Sequence, residues 1–315
     1  MENLATYFFA SYGTVKAVDK ISFEVTKGES IGLVGESGSG KSTVALSVIR
    51  LVPRPGKIAG GKILFNEQDL VSVSEAEMKN VRGRDIAMSF QDPMTFLNPV
   101  MRIEDQIAEV CVRHLGMSKS DAIKRAVDVM ASVQIQDPSR VAKSYPHQLS
   151  GGMRQRILLA IAISCDPSLL IVDEPTTALD VITQVQIISL LRKLRRDLGL
   201  AAIIITHDIG VAVQVCDRLA VMYAGHIVEQ ADTKVVINNP LHPYTTGLLQ
   251  SIPKIDTPRG ALKYIPGSVP DLVDPPVGCI FNPRCLHAEG ACRATRPETV
   301  EVEKGHFVAC MKFSE

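Results

Sequence analysis

One stretch constrains the chain more than any other: SIGLVGESGSGKSTVALSVIRLV, residues 30–52, where a short apolar run ends in a glycine-rich loop and passes straight into helical periodicity. Gly35 to Ser42 fits G-x-x-x-x-G-K-[ST] and lies between a strand and a helix, as that motif requires. Glycines in such a loop let backbone N–H groups turn inward around phosphate oxygens. The helix N-terminus adds partial positive charge, and Lys41 can reach β- and γ-phosphates. Gly35, Ser37, Gly38, Gly40, Lys41, Ser42 and Thr43 are therefore candidate phosphate contacts, with Ser42 also a candidate magnesium ligand. A chance glycine-rich turn is the bland alternative, and the rest of the chain weighs against it.

The strand-then-helix pattern repeats. SLLIVDEP precedes TQVQIISLLRKLRRDLG, and AAIIITHD precedes IGVAVQVC. β-branched runs ending in Asp or His, alternating with helical periodicity, are the pattern of a buried, largely parallel sheet covered by helices. From about residue 92 to 150 strand signals vanish and helical segments take over, notably IEDQIAEVCVRHLG and SDAIKRAVDVMASV. This reads as a helical insertion in an α/β core. After about Val236 the texture changes again, with ten of the 18 prolines in the last 80 residues, which reads as an appended, loop-rich module.

Composition narrows the function. Lys plus Arg number 34 against 34 Asp plus Glu, so there is no basic excess of the kind that drives nonspecific nucleic-acid binding. The longest apolar stretches fall well short of the roughly 20 residues a membrane-spanning helix needs, so a membrane role is expected to run through partner subunits. Seven cysteines and no secretion signal point to a reducing cytosol. Cys111, Cys165 and Cys216 lie in apolar helical sequence and read as small core residues.

In SLLIVDEP the apolar run delivers Asp173 to its C-terminal end, where a carboxylate can join a magnesium shell, and Glu174 follows. Adjacent acids there point to hydrolysis, since the second carboxylate can polarise an attacking water. A solvated acidic pair at a strand end is the alternative, and the nearby phosphate loop argues against it.

LSGGMRQR, Leu149 to Arg156, closely resembles the signature of ABC-type ATPases. Ser150, Gly151 and Gly152 precede the apolar helix ILLAIAIS, exposing N–H groups and a positive dipole end to an anion. The resemblance implies that this anion is the γ-phosphate of ATP bound to another subunit, so that two ATPs lie between two ATPase chains. Met153 stands where many members have glutamine. Other positions resemble family residues in order. Tyr12 resembles the aromatic that stacks on adenine, and Gln91 in SFQDP the glutamine that senses magnesium and moves with the helical subdomain. Asp180 in TTALD resembles the acid that communicates across the dimer, and His207 in IIITHD the switch histidine at the γ-phosphate. With Glu174 and Lys41, His207 completes the expected catalytic set. The resemblance covers about residues 3–232.

The implied fold is an α/β ABC ATPase core with a mostly parallel sheet, an antiparallel N-terminal β part, a helical subdomain and a loop-rich C-terminal extension. The expected boundaries are an ATPase domain over 1–235, with the insertion at about 92–150, and an extension over 236–315. NNPLHPYTTGLLQSIP, residues 238–253, resembles the His-Pro-Tyr segment of the oligopeptide/dipeptide importer ATPases. Read on its own, it offers a proline-set turn and a short amphipathic helix able to pack on the core.

That branch also carries a cysteine-bearing tail. Here Cys279, Cys285, Cys292 and Cys310 are spaced C-x5-C-x6-C-x17-C. Four thiols in a reducing compartment point to metal. Zinc is one alternative, although structural zinc sites usually bring C-x2-4-C knuckles. Thiolates also suit an iron-sulfur cluster, and the resemblance favours a four-iron, four-sulfur one with a structural role.

The resemblance therefore implies an ATP-hydrolysing subunit, using ATP and magnesium, that energises import of di- or oligopeptides or related solutes such as nickel or glutathione. Its expected partners are a second ATPase chain, two transmembrane permeases and, indirectly, a substrate-binding protein, with no nucleic acid. Its expected location is the cytoplasmic face of the membrane, as a peripheral subunit. A soluble ABC ATPase with a metal- or redox-sensing tail is the alternative.

Overall fold

Every residue of the Ser30–Val34 strand is buried, as are all those of Leu169–Asp173 and Ala201–Thr206. Such runs are stable only where helices cover both faces of a sheet. The computed structural model describes residues 1–252 and 264–314. Pro253, the last residue of the His-Pro-Tyr segment, lies outside them, as does part of the proline-rich tract.

The chain divides into two compact units. One comprises Met1–Glu24, Ile31–Ser72 and Thr206–Glu315, the other Val25–Ser30 and Val73–Ile205. The first unit opens with the antiparallel hairpin Glu2–Ala10 and Gly13–Ile21, whose turn is Ser11 and Tyr12. Gly56–Lys62 pairs with the other edge of Glu2–Ala10, completing the expected antiparallel N-terminal sheet. The main sheet of this unit runs in the order Val300–Glu303, His306–Val308, His226–Asp232, Arg218–Tyr223, Ser30–Val34. Arg218–Tyr223 is parallel to Ser30–Val34, whereas the three outer strands are antiparallel. The loop-rich tail thus adds two strands to the core sheet, which its charged sequence VEVEKGHFV did not announce.

In the second unit Ile86–Ser89, Leu169–Asp173 and Ala201–Thr206 pair in parallel, side by side. Helices Ile103–Leu115, Lys119–Ser132 and Pro138–Ala142 fall in the stretch read as a helical insertion. Ile103, Ile107, Ala108 and Cys111 lie on one face of their helix, and Ala108 and Cys111 pack against Ala122 of the next. Gly116 ends the first of these helices at φ 64, and the Ser118 side chain caps the second by accepting the Asp121 N–H at 3.2 Å. Cys111, Cys165 and Cys216 are buried, in keeping with their reading as core residues. Among the described residues, no helix is long and apolar enough to cross a membrane.

Candidate functional site

In the first unit the glycine-rich loop curls between Val34 and the helix Lys41–Val48. Gly35 and Gly40 hold it close to neighbouring backbone. A Cβ would come within 2.1 Å of the Met222 carbonyl oxygen at the first and 2.2 Å of the Ala17 carbonyl oxygen at the second, so neither tolerates a side chain. At Gly38, by contrast, a Cβ would meet nothing within 4 Å, so the loop is open there. The Lys41 ammonium lies inside the curl, donating to the Gly35 carbonyl at 2.7 Å, the Glu36 carbonyl at 2.9 Å and Ser39 Oγ at 3.3 Å. Ser37 and Ser42 are exposed and Thr43 is half-buried. A cation centred in an open ring of backbone suits a triphosphate, with Ser42 at the helix start as a hydroxyl for magnesium. Tyr12 is 74% exposed at its hairpin turn, free of the core packing a structural tyrosine would have. His207, also in this unit, is exposed directly after the Ala201–Thr206 strand, before Asp208 caps the next helix.

The second unit carries the remaining predicted residues. Asp173 ends its strand, and Glu174 follows with a left-handed backbone at φ 49, a conformation that costs free energy for a side-chain-bearing residue. The Glu174 N–H donates to the Ile205 carbonyl at 2.9 Å, and Thr177 Oγ1 donates to its carboxylate at 3.1 Å. Both acids are largely buried. Ser150 caps the helix Gly151–Ile163, its Oγ accepting the Met153 N–H at 3.3 Å. A Cβ at Gly152 would come within 2.6 Å of Thr183 Cγ2, so the signature glycine lies tight against the helix that follows Asp180. Asp180 caps that helix through both the Thr183 N–H and hydroxyl, at 2.9 and 2.7 Å. The Thr183 hydroxyl, then the backbone N–H, hold the Asp180 carboxyl below its usual range. Gln91 is exposed just after the Ile86–Ser89 strand. Tyr12, the phosphate loop and His207 thus belong to one unit, and Gln91, Ser150, Gly151, Gly152, Asp173, Glu174 and Asp180 to the other.

Sequence reasoning missed how the extension grips the core. The His242 backbone N–H donates to Glu229 Oε2 at 2.9 Å, and its Nδ1 accepts the Tyr244 N–H at 3.1 Å, capping the helix Pro243–Gln250. The rings of Tyr223, Tyr244 and Phe281 meet at centroid distances of 4.7 to 5.4 Å. His242, sealed from water, has its pKa pushed down to about 3 by burial. Glu229, Arg284 and His306 carried no local motif and Glu36 fills a free position of the phosphate-loop motif, so nothing in their immediate sequence marked these pairings.

The four tail cysteines share one region. The Cys279 N–H donates to the Cys292 carbonyl at 2.8 Å. Burial pushes the Cys279 thiol up to about 11, helped by the charges of Cys310, Cys292 and Cys285. Burial likewise raises the Cys310 thiol, with smaller contributions from Cys285 and Cys292. The donor set fits a thiolate-ligated metal. Among the described residues, no group of three or more His, Cys, Asp or Glu is arranged to hold a metal ion.

A lysine-centred phosphate loop, a strand-end acid pair and a Ser-Gly-Gly-capped helix define a nucleoside-triphosphate-hydrolysing cassette. Residues 18–177 match the family described as ABC transporter, and residues 228–292 match the one described as oligopeptide/dipeptide transporter, C-terminal region. The oligopeptide transport ATP-binding protein AppD of Bacillus subtilis is 46% identical, the alignment covering 100% of this chain and 96% of that protein. The dipeptide transport ATP-binding protein DppD of Escherichia coli is 44% identical, over 98% of this chain and 95% of that one. A bacterial ABC transporter cassette solved as a dimer superposes with a TM-score of 0.66 at 26% identity, covering 74% of this chain and 97% of that one. The same fold in a post-hydrolysis dimer bound to ADP and phosphate gives the same TM-score. The chain belongs to the ABC transporter family of ATP-hydrolysing cassettes.

Proposed function

We propose that this chain is the ATP-hydrolysing subunit of an importer for di- or oligopeptides or related small solutes. The observation that carries this reading is the match of residues 228–292 to the oligopeptide/dipeptide transporter C-terminal region, on a chain whose relatives align along nearly its whole length. Lys41 and the loop amides of Gly35, Ser37, Gly38, Gly40, Ser42 and Thr43 bind the phosphates, and Tyr12 stacks on adenine. Ser42, Gln91 and Asp173 would hold magnesium, which supplies charge neutralisation on the transferring phosphate. Glu174 orients and polarises the attacking water, and His207 contacts the γ-phosphate. Ser150, Gly151 and Gly152 act on the nucleotide of a second ATPase chain, and Asp180 communicates between the two.

The partners in this reading are that second chain, two permeases and, through them, a substrate-binding protein, with this subunit peripheral at the cytoplasmic membrane face. Nucleic acid has no part in it. Cys279, Cys285, Cys292 and Cys310 would hold a four-iron, four-sulfur cluster, whose chemistry there is to tie a proline-rich tail together. Co-purification with detergent-solubilised permeases tests the assembly. Iron, sulfide and zinc analysis of anaerobically purified protein tests the tail, and stoichiometric zinc without iron would reject the cluster.

A further inference from the structure

Glu36 is the second residue of the phosphate loop, and each polar group it carries is engaged. Its N–H donates to the Tyr244 hydroxyl at 2.9 Å. Its carbonyl accepts from the Lys41 ammonium at 2.9 Å and from the Ser39 N–H at 3.2 Å. Arg284 holds its carboxylate through two parallel bonds, Nη1 to Oε2 at 2.6 Å and Nη2 to Oε1 at 2.9 Å. Tyr244 and Arg284 both come from the C-terminal extension, and 248 positions separate Glu36 from Arg284.

Arg284 is itself fixed. Besides the two bonds to Glu36, Nε donates to the Pro266 carbonyl at 2.8 Å, Nη2 to the Ile265 carbonyl at 3.2 Å and Nη1 to the Tyr223 hydroxyl at 3.4 Å. All five guanidinium donors are thereby used. The group also lies over the Tyr223 ring, 5.6 Å from its centroid, and the side chain is only 5% exposed. A fork held at every donor cannot swing away from the loop, whereas a lysine could neither bind both carboxylate oxygens in plane nor fill the other contacts.

A carboxylate on a phosphate-binding loop opposes the very ligand the loop is shaped for, because like charges at short range repel strongly in a partly dry site. We propose that Arg284 is a positioning residue of the nucleotide site: it neutralises and immobilises the Glu36 carboxylate, so that the loop presents a net attractive field to a triphosphate. The proposal rests on the ATPase reading of that loop. It makes the extension a working part of nucleotide binding, delivered by the segment between Cys279 and Cys285.

The test is calorimetric titration of the intact chain with MgATP. Arg284→Gln weakens binding about tenfold at low ionic strength, and the loss narrows as salt screens the exposed repulsion. Adding Glu36→Gln to that variant recovers most of the lost affinity, and Arg284→Lys, which keeps the charge but not the fork, loses less than Arg284→Gln without matching the parent. Glu36→Gln in the otherwise unchanged chain leaves the Arg284 cation beside the loop and tightens binding about threefold, a result that decides the matter even if Arg284→Gln fails to fold. Weaker binding in Glu36→Gln overturns the proposal, as does an Arg284→Gln loss that neither salt nor Glu36→Gln relieves. Parent-like binding by Arg284→Gln overturns this proposal alone, whereas a parent chain that binds no MgATP overturns the ATPase reading and this proposal together.

Discussion

His306 Nε2 lies 2.8 Å from Glu229 Oε1, with both side chains sealed from solvent. The same carboxylate accepts the Leu241 N–H at 2.9 Å through Oε1 and the His242 N–H at 2.9 Å through Oε2. One buried acid therefore ties the His-Pro-Tyr segment and the last strand of the tail to the core sheet. Glu229→Ala would leave two backbone donors and an imidazole unpaired in a dry site, a change that costs about 3–5 kcal/mol. Urea denaturation is expected to show a loss of that size, with the tail cleaved earlier in limited proteolysis. A loss below about 1 kcal/mol, the level of an exposed ion pair, would reduce Glu229 to a peripheral contact.

Acid should loosen the same joint. Burial lowers the His242 pKa from 6.5 to about 3 in the folded chain, so below pH 6.5 the unfolded chain takes up a proton that the folded one refuses. The stability held by neutral His242 is complete above pH 6.5 and is lost as pH falls toward 3, with a slope of up to about 1.4 kcal/mol per pH unit. Urea midpoints measured across this range should fall more steeply in the parent than in His242→Gln. Identical slopes would mean that folding leaves the proton affinity of His242 unchanged.

The parts of this molecule legible in its sequence are those whose chemistry is local. Gly35 to Ser42 announces itself because the glycines, Lys41 and the flanking strand and helix are consecutive, and the same holds for Ser150 to Gly152. Asp173 and Glu174 are legible because an all-apolar run ends on them. What stayed hidden depends on partners far away in the chain. Glu36 occupies a free position of its motif, and its meaning comes from Arg284. Glu229 reads as a strand residue until His306, 77 positions on, is beside it. The tail strands were missed because Glu301, Glu303 and Lys304 dilute the apolar signal, and their stability comes from pairing with His226–Asp232.

Lys41 and Glu174 should separate binding from hydrolysis. Lys41→Ala removes the cation centred in the loop and is expected to abolish productive MgATP binding. Glu174→Gln keeps the loop intact and should bind nucleotide while slowing hydrolysis by roughly two or more orders of magnitude. Filter binding and phosphate release measured side by side check the pair, and near-normal turnover in Glu174→Gln would remove it from the catalytic role.

Ser150 should act in trans. In an assembly with two distinguishable ATPase chains, Ser150→Ala is expected to depress hydrolysis at the site whose phosphate loop belongs to the other chain. Site-specific trapping of nucleotide locates the affected site. Loss confined to this chain's own loop would contradict the shared arrangement.

Coupled transport is the most direct measurement. The permeases, the second ATPase chain and this subunit would be reconstituted in liposomes, and uptake of a radiolabelled dipeptide followed with its binding protein and MgATP supplied on the appropriate faces. Uptake that requires ATP, stops with Glu174→Gln in this chain and returns with the parent sequence is the predicted result. Peptide uptake that proceeds unchanged with Glu174→Gln, or an assembly that hydrolyses ATP without moving any peptide, would contradict it.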